Sequence, residues 1–236
     1  RGRSWESVFD AGPAYSRLFK LRLDPTDPDT LYLSAFKQNA VLGSLFRLRH
    51  GEVTDITGTI PRAIIDIAVD PTDSQTMYVS LHGESVYKTT DGGAAWHNLD
   101  SMPIVGTFDI EIDPSDPAVL YVAAIMGRRC PEELLDPRLF PAVSPEDIGP
   151  HGVYKSVDGG STWQNVNQGV LGGPFRALAI HPSDPNVVYA GGARGVYLTT
   201  DGGSTWTAQN EGLDYRSIGA LSIGGSKIYA GSRGGG

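Results

Sequence analysis

The 236-residue sequence contains a single cysteine, Cys130, which excludes an intrachain disulfide framework and any multi-cysteine zinc site. No apolar run approaches the roughly eighteen residues of a membrane-spanning helix. Positive charge is scarce as well: 19 Lys and Arg face 27 Asp and Glu, a net charge of -8. A nucleic-acid partner, whose phosphates require a basic face, is therefore not expected. No stretch sustains helical apolar periodicity, no cofactor or metal motif is present, and no Asn-x-Ser/Thr acceptor occurs. The last absence fits a prokaryotic origin. Glycine and proline, by contrast, are abundant, at 30 and 16 residues. They follow no Gly-X-Y period, so collagen is excluded and a turn-rich chain of short strands remains.

Two phrases recur. The first is Asp24-Pro-Thr-Asp-Pro-Asp-Thr-Leu-Tyr32, repeated as Asp70-Pro-Thr-Asp-Ser-Gln-Thr-Met-Tyr78, Asp113-Pro-Ser-Asp-Pro-Ala-Val-Leu-Tyr121 and His181-Pro-Ser-Asp-Pro-Asn-Val-Val-Tyr189. The starts lie 46, 43 and 68 residues apart. The second is Thr89-Thr-Asp-Gly-Gly-Ala-Ala-Trp96, repeated as Ser156-Val-Asp-Gly-Gly-Ser-Thr-Trp163 and Thr199-Thr-Asp-Gly-Gly-Ser-Thr-Trp206. Both series place one insertion of about 25 residues in the third repeat, over 124–150. Each repeat reads as four strands: an alternating apolar segment before the Asp-Pro turn, a strand with the tyrosine, a Val-Tyr-Lys-type strand, and a strand after the Asp-Gly-Gly turn. Four short strands every 43 residues or so predict an all-β fold, a β-propeller of four-stranded antiparallel blades.

The phrase Ser/Thr-x-Asp-x-Gly-x-x-Trp resembles the Asp-box, or BNR, repeat. Propellers with such repeats occur in sialidases, xyloglucan-degrading glycoside hydrolases, sortilin-type receptors and a photosystem II assembly factor. The resemblance implies that Asp91, Asp158 and Asp201 are turn-forming and that Trp96, Trp163 and Trp206 pack between blades; neither set is expected to be catalytic or metal-binding. Complete repeats are read at 18–56, 64–99, 107–166 and 175–209, with partial blades at 1–8 and 218–236. The first repeat has Arg47-Leu-Arg-His-Gly-Glu52 in place of the box. About five blades' worth of sequence, beginning inside a box, points to part of a larger propeller, although residues 1–8 closing the ring is the other reading.

Loops joining strands one to two and three to four share one face, which collects the repeated aspartates. The opposite face, with the insertion, is the expected recognition surface. It gathers Arg62, His82, Arg128, Arg129, Glu132, Glu133, Asp136, Arg194, Arg216 and Arg233, a set able to contact a ligand or a protein. Cys130, between Arg129 and Pro131, is read as an inert thiol. On the inner strands, Lys20, Arg22, Asp66, Asp109 and Glu111 fall where later repeats carry alanine or serine. Buried charges there require partners, and a structural Lys20–Asp66 pair is expected.

Two functional readings follow. The favoured one is a non-catalytic, extracytoplasmic binding or assembly scaffold whose partner is a protein or a polysaccharide; it is secreted, periplasmic or on the cell surface, as a subunit of a larger assembly, and needs no cofactor. The alternative is a glycoside hydrolase with carboxylates in the insertion or in further blades. Resemblance to sialidases would imply an Arg-Ile-Pro motif, which Ile60-Pro-Arg62 only inverts. The xyloglucan enzymes would place an acid after a second-strand tyrosine, yet Tyr189-Ala-Gly-Gly-Ala-Arg194 has none.

Overall fold

The computed structural model describes residues 9–10, 12–37, 42–102, 106–124, 151–170, 173–225 and 227–232. Every regular element among them is a β-strand. Blade 1 comprises β1 (Tyr15–Leu23), β2 (Thr30–Lys37), β3 (Gly43–Arg49) and β4 (Glu52–Asp55). Blade 2 comprises β5 (Ile64–Val69), β6 (Met77–Leu81), β7 (Val86–Thr89) and β8 (His97–Asn98). Blade 3 has β9 (Thr107–Ile112), β10 (Leu120–Ala124), β11 (Gly152–Ser156) and β12 (Gln164–Asn165), and blade 4 has β13 (Phe175–His181), β14 (Asp184–Gly192), β15 (Gly195–Thr199) and β16 (Thr207–Ala208). Blade 5 contributes β17 (Ile218–Gly224) and β18 (Lys227–Ser232). Each sheet pairs its strands antiparallel in chain order, the blade pattern expected from the repeat.

The blades pack face to face, and the apolar cores lie between them rather than within one. Tyr32, Leu45 and Ile56 of blade 1 meet Ile64, Ile67 and Val79 of blade 2. Ala68 and Tyr78 of blade 2 meet Ile110, Ile112 and Val122 of blade 3. Tyr121, Ala123 and Val153 of blade 3 meet Phe175, Leu178 and Val188 of blade 4. Side chains such as Ile67 and Ile110 are fully buried there, each stabilising the stack by about 1.5–3 kcal/mol.

The third-to-fourth-strand turns explain the spacing of the second phrase. In blade 4 the Thr199 hydroxyl donates to Asp201 Oδ1 at 2.7 Å and accepts from Gly203 N at 3.0 Å, while Asp201 Oδ1 accepts from Thr205 N at 2.9 Å. Asp91 and Asp158 do the same in blades 2 and 3. Gly202 and Gly203 lie at φ +66° and +96°, a region other residues rarely adopt. Blade 1, without the Asp-Gly-Gly sequence, solves the turn differently. His50 and Gly51 at φ +51° and +82° form a tight two-residue hairpin, and its outer strand extends to four residues instead of two.

Candidate functional site

Each first strand carries a register irregularity, between Leu18 and Lys20, Ile64 and Asp66, Phe175 and Ala177, and Ile218 and Ala220. In blade 3 it shows as the step between Ala123 and Ala124, opposite Asp109 and Thr107. A bulge re-aims the extra side chain. The bulge residues Phe19, Ile65, Phe108, Arg176 and Gly219 accordingly line one cavity of ≈ 320 Å³, together with Lys20 and Ala220. All five blades contribute, so this is the axial cavity at the end where the inner strands begin. The Arg176 guanidinium sits 6.0 Å from the Phe108 ring centroid. The lining combines two cations with aromatic and aliphatic surface and includes no carboxylate. Sequence reading missed these positions, although the repeat fixes their spacing.

Below the cavity the five inner-strand charges form one network. Lys20 Nζ lies 2.8 Å from Asp66 Oδ1 and 3.5 Å from Asp109 Oδ1, so the expected Lys20–Asp66 pair is present. Arg22 Nη2 reaches Glu111 at 2.7 Å and Asp66 at 3.4 Å, and Arg22 Nε donates to the Ile67 carbonyl at 2.8 Å. The carboxylates also bind main chain across blades: Asp66 Oδ2 accepts from Ile110 N at 3.1 Å, and Asp109 Oδ2 from Leu178 N at 2.7 Å. Third-position acids thus clip blade 2 to blade 3 and blade 3 to blade 4. Burial and the neighbouring Asp66 charge push the Asp109 carboxyl well above its ordinary value. Burial opposes ionisation of Asp66 too, but a hydrogen bond from Asp109 and the Arg22 and Lys20 charges hold it below. Burial pushes the Glu111 carboxyl up as well, against the neighbouring Arg22 guanidinium. A second cavity of ≈ 160 Å³, lined by Arg22, Glu111 and the turn prolines Pro25, Pro71 and Pro114, closes the lower side.

The carboxylates of the opposite face are occupied by their own turns. Asp24, Asp70 and Asp113 each accept two amide hydrogen bonds from the residues that follow. The Thr162 hydroxyl and amide depress Asp158 to about 2, and the Thr199 and Thr205 hydroxyls depress Asp201 to about 2. Among the described residues no group of three or more His, Cys, Asp or Glu is placed to hold a metal ion. The Asp-Gly-Gly turns and their tryptophans also join blades. Tyr121 Oη and Lys155 Nζ both donate to Gly202 O, at 2.9 and 2.8 Å, and Tyr78 and Lys88 repeat this on Gly159 O. Trp96 Nε1 donates to Ile56 O at 2.9 Å and Trp206 Nε1 to Val166 O at 2.7 Å.

On the insertion side, Arg62 Nε lies 3.6 Å from Glu84 Oε1, and His82 N donates to Ala63 O, which brings Arg62, His82 and Glu84 together. Arg194 occupies the β14–β15 turn and Arg216 the connection before β17; neither side chain joins an ion pair among the described residues. Arg128, Arg129, Glu132, Glu133, Asp136, Arg233 and Cys130 lie outside the described residues. The roots of the insertion are described. Ala124 pairs with Gly152 at the ladder end where blade 4 pairs Gly192 with Gly195. Asn167 accepts from Val153 N at 2.7 Å and donates to His151 O at 3.3 Å; Asn210 makes the same two bonds, to Val196 N at 2.9 Å and Arg194 O at 3.2 Å. These asparagines were not singled out by sequence, though each precedes a Gln-Gly or Glu-Gly pair.

No family model and no curated protein sequence matches the chain. Solved structures do resemble it. An ancestral GH74 enzyme is 18% identical with a TM-score of 0.65, covering 88% of this chain and 26% of that one. The nidogen/laminin complex gives 17% identity and a TM-score of 0.68 over 93% of this chain and 73% of that one. YCF48 from Cyanidioschyzon merolae gives 15% and 0.58 over 94% and 66%. The chain thus spans about a quarter of the length of the GH74 enzyme. At these identities the likeness establishes the propeller fold.

Proposed function

We propose that the chain is a non-catalytic binding propeller of the Asp-box type, part of a larger propeller, that presents its insertion face to a protein or a polysaccharide outside the cytoplasm. The observation that carries this reading is the root of the insertion. Twenty-seven residues, 125–151, depart and return where blade 4 needs a two-residue turn, and neither the ladder register nor the asparagine clamp changes. An insertion held at both ends by an unperturbed blade costs the scaffold little and is free to specialise. The axial cavity opens on the same side and adds Lys20 and Arg176 beside apolar surface, suited to an acidic or neutral group with an apolar flank.

Described carboxylates support the non-catalytic part. The acids on the axis are committed to blade-joining amides and cations, and the repeated turn acids to their own turns. In the assembly reading the known likeness to YCF48, one structure of which holds a D1 peptide, is in keeping with a scaffold. The test replaces 125–151 by the Ala-Arg turn of blade 4. The variant is expected to keep wild-type circular dichroism and to lose retardation in native gels containing β-glucan, or capture of a purified partner protein. Unchanged binding would refute the assignment of the loop.

A further inference from the structure

We infer, on the reading of the chain as a binding propeller, that the axial cavity is a site for a carboxylate borne on an apolar body. The register steps aim one side chain per blade into this space, and what the blades supply there is unequal: rings from Phe19 and Phe108, a branched aliphatic group from Ile65, a guanidinium from Arg176 and no side chain from Gly219. Ile65, Phe108 and Arg176 stand on blades 2, 3 and 4, each of which packs against a blade on either side. The lining is held in place before any ligand enters. Phe19 lies 5.0 Å from Phe36, ring centroid to centroid, and Arg176 sits 6.0 Å from the Phe108 centroid. Lys20 is fixed at both ends, its amide donating to the Ser34 hydroxyl at 3.1 Å and its Nζ 2.8 Å from Asp66.

The chemistry of the lining selects among guests. At ≈ 320 Å³ the cavity is at the small end of ligand pockets, which run from about 300 to 1,000 Å³, so it suits one ring or one terminal residue rather than a polymer segment. The described side chains that line it carry no carboxylate, amide or hydroxyl, and Lys and Arg donate without accepting. Sugar hydroxyls, which need acceptors as well as donors, would find no side-chain acceptor there. A wholly apolar guest would displace water from two cationic side chains and offer them nothing. A carboxylate answers both requirements: its oxygens match the fork of a guanidinium, and its apolar body lies against the two rings and Ile65. The acids beneath oppose it weakly. Asp66 is engaged by Lys20 and Arg22, and burial favours the neutral forms of Asp109 and Glu111, which lessens repulsion of an entering anion.

Calorimetric titration of the full chain with 3-phenylpropanoate and with its amide tests the requirement for charge. The peptide Gly-Gly-Phe, with a free and with an amidated C-terminus, repeats the comparison for the end of a polypeptide. Each carboxylate is expected to bind about tenfold or more tightly than its amide, because hydrogen bonds to an ionised group are the stronger ones. Tighter binding of the free acid assigns the site to a small molecule, and tighter binding of the peptide assigns it to a chain terminus. Arg176→Gln should weaken the carboxylates about tenfold and Arg176→Lys less, while Phe108→Leu should weaken acid and amide together; circular dichroism identifies the folded variants to be compared. The protein with 125–151 replaced should bind 3-phenylpropanoate as the wild type does, so failure of the cavity and failure of the insertion as a recognition loop are told apart. Equal binding of acid and amide, no binding of either carboxylate at millimolar concentration, affinity unchanged in Arg176→Gln, or binding lost with the insertion would each overturn the inference.

Discussion

Removing the Asp66 side chain should be the most damaging single change on the axis. Asp66 is wholly buried and accepts four kinds of partner: Ile67 N at 2.8 Å, Ile110 N at 3.1 Å, Lys20 Nζ at 2.8 Å and Arg22 Nη2 at 3.4 Å. Asp66→Ala strands two amides and deprives two cations of a shared counter-ion. Breaking a buried, hydrogen-bonded ion pair by removing one partner costs about 3–5 kcal/mol. Lys20→Ala is different in kind. Its side chain is 31% exposed, and Asp66 keeps Arg22 and both amides, so about 1 kcal/mol is expected. Urea unfolding of the two variants, followed by tryptophan fluorescence and circular dichroism together, measures both. A loss for Asp66→Ala no larger than that for Lys20→Ala would refute the reasoning that the clip to Ile110, rather than the surface-facing charge pair, holds blades 2 and 3.

The raised carboxyl of Asp109 gives a pH dependence of definite sign. Its folded value is raised, so its contribution is complete below the ordinary carboxylate range and is lost as pH rises through the raised value. Asp109→Asn, which retains an acceptor for Leu178 N, should remove that alkaline loss in urea titrations at several pH values. Asp158 and Asp201 have the opposite sign: depressed to about 2, they support the fold above the ordinary carboxylate range and cease to as pH falls toward 2. Carboxyl carbon NMR titrations should find both ionised well below pH 4, the ordinary value for aspartate being about 3.9. Trp96→Phe leaves the Ile56 carbonyl without its donor, whereas the buried Trp163 Nε1 has no partner among the described residues. Thermal or urea unfolding should therefore show Trp96→Phe to be costlier than Trp163→Phe by about 1–3 kcal/mol.

Much of this molecule is legible in its sequence because the same physical problem is solved in repeat after repeat. The Asp-Gly-Gly spacing encodes a turn whose carboxylate needs amides at fixed offsets, and the contrast of Lys20, Arg22, Asp66, Asp109 and Glu111 with Ala177 and Ala179 signals a charged network on an otherwise apolar inner strand. What periodicity hides is the effect of a bulge. Phe19, Phe108 and Arg176 occupy an ordinary strand position in the sequence, and only the register step turns them into a cavity lining. The interface role of Lys88 and Lys155 was equally hidden, because each binds a carbonyl on the next blade that no local pattern connects to it. The asparagine clamp at the insertion root was visible only as two Asn residues following their tryptophans at equal distance.

The claim that this propeller binds rather than cleaves is tested most directly by turnover. Protein carrying wild-type Glu132, Glu133 and Asp136 is incubated with β-glucans and sialosides beside the triple variant E132Q/E133Q/D136N, and reducing ends and free sialic acid are measured. No turnover by either protein, with glucan or partner binding lost only when 125–151 is replaced, is the predicted result. Hydrolysis by the wild type that the triple variant abolishes would contradict the account and make the insertion an active-site loop.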